Sequence, residues 1–242
     1  MSLRRPGALV ALVALVALVA ALALLGAPPA SAAPQATATP APTCSLPESD
    51  AEALVILNEF YPNRYYWDHT DLTVAIQAAP NTDPAYVEAA AAAIETWDSV
   101  LRECFDGLIT LTNVTDTTRN AQRADIVVHY VPTAGGTVFA GYAICGVGRC
   151  PNILVRSDLP SYGVQYTPDY FYWVVLHELG HALGLGHATN LVESTDLMGY
   201  GWIGTTDAVL SQCDVDALAY LFSWALNGTA PAPPGPGPYD CS

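Results

Sequence analysis

The chain has 242 residues and no lysine; its cations are eight arginines, set against 23 aspartates and glutamates, for a formal net charge of −15. A surface this acidic repels phosphate backbones and anionic bilayers, which excludes nucleic acid and charged membranes as partners. The charge identifies no substrate. Histidine is also scarce, at five residues. None of the six cysteines forms a C-x-x-C pair, which speaks against a thiolate metal site.

The first 32 residues read as a secretory signal peptide. Arg4 and Arg5 supply a positive start, residues 7–26 are apolar and uncharged, and Ala30-Ser31-Ala32 offers the small-residue cleavage pattern. The apolar run is nearly long enough for a membrane anchor, but the cleavage-like site directly after it favours removal. A secreted, extracellular protein follows, with no membrane association once the signal is gone, and a monomer is expected. Residues 33–43, rich in Pro, Ala and Thr, read as a mobile linker or short propeptide. A single folded domain is placed at 44–230, and a proline-rich tail at 231–242. All six cysteines lie beyond the signal, so disulfides are expected. Cys145 and Cys150 bracket a turn-like GVGR and form the first expected pair; Cys241 is expected to staple the tail to the body.

Local signals divide the domain into alternating elements. Strands are predicted at 71–77, 107–114, 124–131, 138–145 and 152–156. Asp83-Pro84 starts a helix whose apolar stripe is Val87, Ala90, Ile94, Trp97 and Leu101. Thr167-Pro168-Asp169 starts a second helix. Ser211, with Asp214 three residues on, starts the last. This order suggests an α+β domain.

Three of the five histidines fall within eleven residues, in LHELGHALGLGH at 176–187. His177 and His181 are one helical turn apart on one face. Gly184 can take the left-handed conformation that ends a helix, letting His187 approach from another direction. Three imidazoles and one open position are what a catalytic zinc requires. Glu178 points off the ligand axis beside that open position, where it can accept a proton from the attacking water.

H-E-L-G-H-A-L-G-L-G-H followed by a methionine resembles the metzincin zinc endopeptidases, and within them the secreted matrixins. WDHTDLTVAI, DPAYVEAAAAAIETWDSV, ADIVVHYV and LSQCDVDALAYLF resemble further matrixin segments, in order, over roughly 65–225. The resemblance implies a metzincin fold: a twisted mixed sheet with an active-site helix and a C-terminal helix. It implies a single catalytic Zn2+ on His177, His181 and His187, Glu178 as general base, and Met198 as an apolar floor beneath the imidazoles. It also implies a protein or peptide substrate, paired with the outer strand at 138–145.

The sequence departs from the matrixin pattern in four places. Met-Gly-Tyr replaces Met-Tyr-Pro, a placement that resembles the astacins and serralysins; Tyr200 is therefore a candidate zinc ligand or oxyanion donor beside a packing role. The segment from His187 to Met198 is longer than usual. Only His69 and His129 remain for a second, structural zinc, so one zinc is expected. No cysteine-switch motif occurs, and Cys44 reads as half of a disulfide. Aspartate-bearing loops such as TDTT leave Ca2+ as a further candidate ion. A secreted zinc-site protein that binds without turnover, or a zinc hydrolase of a non-protein amide, is the alternative to a peptidase.

Overall fold

The computed structural model describes residues 41–56, 66–115, 123–131, 140–145, 151–156, 158–159, 164–190, 194–199, 208–235 and 237–242. The signal segment and Tyr200 lie outside them. Strands β1 (Ala53–Ile56), β2 (Asp71–Gln77), β3 (Thr110–Asn113), β4 (Ile126–Val131), β5 (Gly141–Ile144) and β6 (Asn152–Arg156) precede the short pair β7 (Asp158–Leu159) and β8 (Val164–Gln165). Five of these make one sheet in the order β3-β2-β4-β6-β5. Pairing is parallel from β3 through β6. Only β5 runs antiparallel, at the edge. The sheet is thus mixed, as expected for a metzincin domain, and β2 coincides with the predicted 71–77.

Helix α1 (Pro84–Cys104) begins as its sequence dictates: the Asp83 side chain accepts from the Ala85 amide, and Pro84 takes a position that needs no N–H. Its buried stripe runs through Tyr86, Ala90, Ala93, Ile94, Trp97 and Leu101. Val87, expected to open the stripe, is only half-buried. Tyr86 takes the place because its hydroxyl finds a buried acceptor, Tyr166 O at 2.7 Å, while its ring packs edge-on against Phe171.

Helix α2 (Pro168–Leu183) starts at Thr167, whose side chain accepts from the Tyr170 amide, and stops at Gly184, with φ of 118°. From Val174 to Leu183 it is buried on every side, so it is a central helix rather than an amphipathic surface one. Two indoles tie it in place: Trp97 Nε1 donates to Leu176 O at 2.9 Å and Trp67 Nε1 to Ala182 O at 3.0 Å.

After Gly184 the chain forms β9 (Leu185–Ala188), then the turn at Met198, then α3 (Gln212–Leu221), α4 (Ser223–Leu226) and β10 (Tyr239–Asp240). Helix α3 opens with a capping box between Ser211 and Asp214, as its sequence predicts. Sequence reading does not foresee β1, β9 or β10. They form a second sheet, β10-β1-β9, in which both pairs are antiparallel. The proline-rich tail therefore ends in a strand, and the Cys213–Cys241 disulfide fixes it to α3. Cys44 bonds Cys104 at the end of α1. Cys145 is disulfide-bonded; its expected partner, Cys150, lies outside the described residues.

Candidate metal centre

Helix α2 presents His177 and His181 from successive turns, and β9 presents His187. Their rings meet at centroid distances of 4.7 Å (177–181), 5.3 Å (177–187) and 4.6 Å (181–187). One nitrogen from each lies within 4.8 Å of the others. No other group of three such donors occurs among the described residues.

Two of the rings are oriented by backbone carbonyls. Nδ1 of His177 is 2.6 Å from Leu197 O, and Nδ1 of His181 is 2.8 Å from Leu185 O. A carbonyl can only accept, so each Nδ1 carries the proton and Nε2 keeps its lone pair for a metal. Burial holds all three imidazoles below their ordinary range. His177 is pushed well down by burial and then by His181 and His187, while its bond to Leu197 works the other way. Burial and His181 bring His187 to about 3. Neutral, convergent, pre-oriented imidazoles fit a borderline-soft ion such as zinc.

Glu178 lies on the same helix beneath the edge strand. Burial raises its carboxyl to about 8, against the opposing effect of the Ala143 backbone amide. Its Oε2 is buried with no hydrogen-bond partner. Strand β5 reaches it only because position 141 is glycine: a Cβ there would lie 2.9 Å from both Cγ and Oε1 of Glu178, and 2.8 Å from Val174 Cγ1.

Met198 is fully buried, and its sulfur occupies the space a side chain at Gly180 would fill, 2.5 Å from the position of such a Cβ. This explains the glycine inside the histidine motif. Asp196 holds the turn: its Oδ1 accepts from the Met198 amide at 2.8 Å, and its Oδ2 from Ser211 Oγ at 2.7 Å.

The other two histidines stand apart. His69 lies 2.7 Å from an Asp68 oxygen and 3.4 Å from Asp125, and His129 in β4 lies 3.0 Å from Asn152 Oδ1. Past Thr115, the TDTT loop considered for calcium is outside the described residues.

The family model of metallo-peptidase family M12B, reprolysin-like, matches residues 64–188. That is over half the chain and includes all three histidines. The chain belongs to this family. Among curated relatives, bovine interstitial collagenase (Bos taurus) is 27% identical over 206 residues, 80% of this chain and 39% of the relative. Interstitial collagenase B of Mus musculus is 29% identical over 189 residues, 77% of this chain and 38% of the relative. The chain thus spans about two-fifths of the length of these relatives. A solved structure of high choriolytic enzyme 1, a hatching enzyme zinc-protease from Oryzias latipes, aligns at 16% identity with a TM-score of 0.30, covering 53% of this chain and 52% of that one. The expected metzincin-type zinc metallopeptidase is therefore the right superfamily.

The same geometry sets a pH dependence for the metal-free reprolysin-like domain. Glu178 keeps its proton in the fold up to about 8 but loses it near 4.5 when unfolded. The native state then binds more protons than the unfolded one across that window, so this group's contribution falls as pH rises through it. The histidines act oppositely, because unfolding lets them take up protons below about 6.5. Glu178→Gln should raise the melting temperature of the metal-free protein at pH 9 and change it far less at pH 4. The difference at high pH should correspond to a few kcal/mol, on the order of the 1.4 kcal/mol per pKa unit that linkage gives. Parallel melting curves for the two proteins across this range would show no such divergence if the carboxyl were solvated.

Proposed function

We propose that this protein is an exported zinc endopeptidase in which His177, His181 and His187 bind the metal and Glu178 is the general base. The observation that carries this reading is the pairing of three convergent imidazoles, two of them oriented by backbone carbonyls, with a buried carboxyl oxygen of Glu178 left without a partner. Zinc on this tripod, with one position open, would supply Lewis acidity toward a peptide carbonyl and acidity to the attacking water. Glu178 Oε2 takes the proton from that water and returns it to the leaving amine. The Ala143 amide orients the other carboxylate oxygen. Strand β5, the edge of the five-stranded sheet among the described residues, accepts an extended peptide by strand addition, which positions the scissile bond over Glu178. Met198 packs beneath the imidazoles and fixes the turn that carries Leu197 O. Tyr200, two residues on, is the candidate for a further ligand or oxyanion donor.

Export is supported by the signal-like residues 1–32 and by the Cys44–Cys104 and Cys213–Cys241 disulfides, which suit an oxidising compartment. Among the described residues no helix is long and apolar enough to cross a membrane.

Digestion of a peptide library by the purified protein, with and without a zinc chelator, tests the activity. Cleavage of internal peptide bonds that stops with the chelator and returns with zinc supports it. Peptides bound but uncut, or left intact beside a hydrolysed small amide, would replace it with one of the two alternatives.

A further inference from the structure

The stretch from Ala188 to Met198 does two jobs. It follows the third histidine directly, and it supplies Leu197 O, the carbonyl that orients His177. From Thr189 onward it lies beyond the residues matched by the family model, and β1 lies before them. What holds it is the N-terminal segment 49–56.

Asp50 is the hub. Its Oδ1 accepts three bonds: from Ser194 Oγ at 2.9 Å, from the Thr195 amide at 2.8 Å and from Thr195 Oγ1 at 3.1 Å. Its backbone oxygen accepts from Asn190 Nδ2 at 2.6 Å. Next to it, Ser49 Oγ donates to Asp196 Oδ2 at 2.6 Å, and Asp196 in turn receives the Met198 amide. Strand β1 then pairs with β9, Leu54 opposite Ala188 and Ile56 opposite Leu185, with Thr189 N donating to Ala53 O at 2.9 Å. The contact is close: a Cβ on Gly186 would lie 2.6 Å from Val55 O. The segment is itself anchored, by Cys44–Cys104 and by Gln212 N donating to Pro47 O at 2.9 Å. A merely decorative extension would not meet this stretch at Thr189, Asn190, Ser194, Thr195 and Asp196, with the bonds to the Asp50 and Asp196 carboxylates charge-assisted.

We propose that Asp50, seconded by Ser49, is a positioning residue for the metal centre: it fixes Asn190 and the Ser194–Asp196 turn so that His187 and the Leu197 carbonyl stand in register with helix α2. This rests on the assignment of His177, His181 and His187 as metal ligands. Groups bonded directly to metal ligands typically change metal affinity by about 10–100-fold when lost; Asp50 acts on the Leu197 carbonyl through Ser194 and Thr195, so a smaller, several-fold loss is expected. Asp50 is exposed to solvent, so its removal leaves the core intact.

Cobalt(II) serves as the probe, because its visible absorption reports ligand geometry directly. Metal-free full-length protein is titrated with Co2+ well below its melting temperature, as parent, Asp50→Ala and Asp50→Asn. All three donors to the Asp50 side chain, two hydroxyls and the Thr195 amide, converge on Oδ1, so asparagine can keep them and alanine cannot. Expected are a several-fold weaker affinity, below the roughly 10–100-fold typical of direct ligand partners, and an altered cobalt spectrum for Asp50→Ala, with parent-like values for Asp50→Asn. General destabilisation would not move the spectrum of a folded sample. Parent-like binding by Asp50→Ala, or equal losses in both variants, would overturn the proposal. If Asp50→Ala fails to fold, Ser49→Ala carries the test: a several-fold loss is expected, and unchanged binding overturns it. A parent that binds no Co2+ would instead overturn the ligand assignment, and this proposal with it.

Discussion

Glu178→Gln should bind zinc as tightly as the parent and cleave peptides some 10²–10⁴ times more slowly, the usual contribution of a positioned proton-transfer group. The substitution keeps the volume and the acceptor that faces the Ala143 amide. It removes the basic oxygen at Oε2, the one buried without a partner. The loss should fall on kcat with little change in KM, because proton transfer belongs to the transition state rather than to ground-state binding. Zinc content measured alongside kinetics separates this from ligand damage. Parent-like turnover with a full complement of zinc would remove Glu178 from the chemistry.

The second large effect concerns stability. Replacing Cys44 and Cys104 together by alanine opens a cross-link spanning 60 residues, and the chain-entropy relation gives a loss of about 4 kcal/mol. Opening Cys213–Cys241, which spans 28 residues, should cost slightly less, about 3.5 kcal/mol. Denaturant unfolding of the two double variants measures both. The first should also loosen the segment leading into Asp50 and β1, so its metal affinity should fall while the second retains more. A loss under about 1 kcal/mol for Cys44/Cys104 would mean that hydrogen bonds such as Thr43 N to Cys104 O already hold that end without the disulfide.

What the sequence revealed follows from how far each signal reaches. Asp83, Thr167 and Ser211 are visible as N-caps because a cap acts on the amides two or three residues ahead. Gly184 is visible as a helix end because left-handed backbone selects glycine locally. The His177/His181 pair needs only the helical repeat, and His187 only the break after it. Strand β2 is read correctly from its β-rich composition. By contrast, β1, β9 and β10 are short, and their pairings join residues at opposite ends of the chain; a run such as ALVI gives no hint of its partner. The same holds for Asp50, whose partners are 144 and 145 residues away. The unusual length of the His187–Met198 segment was a legible sign that something extra was needed there, but not of what supplied it. Gly141 and Gly180 each carry a packing reason, the proximity of Glu178 and of the Met198 sulfur, that no local pattern announces.

The central claim is that two histidines from a helix and one from a strand beyond its glycine stop hold a single zinc. Zinc analysis with X-ray absorption on the purified protein, beside His187→Ala, tests it most directly. The account predicts one zinc per parent chain with three imidazole nitrogens at about 2.0–2.1 Å, and loss of tight zinc binding in the variant. Undiminished zinc in His187→Ala with an unchanged absorption spectrum would contradict it.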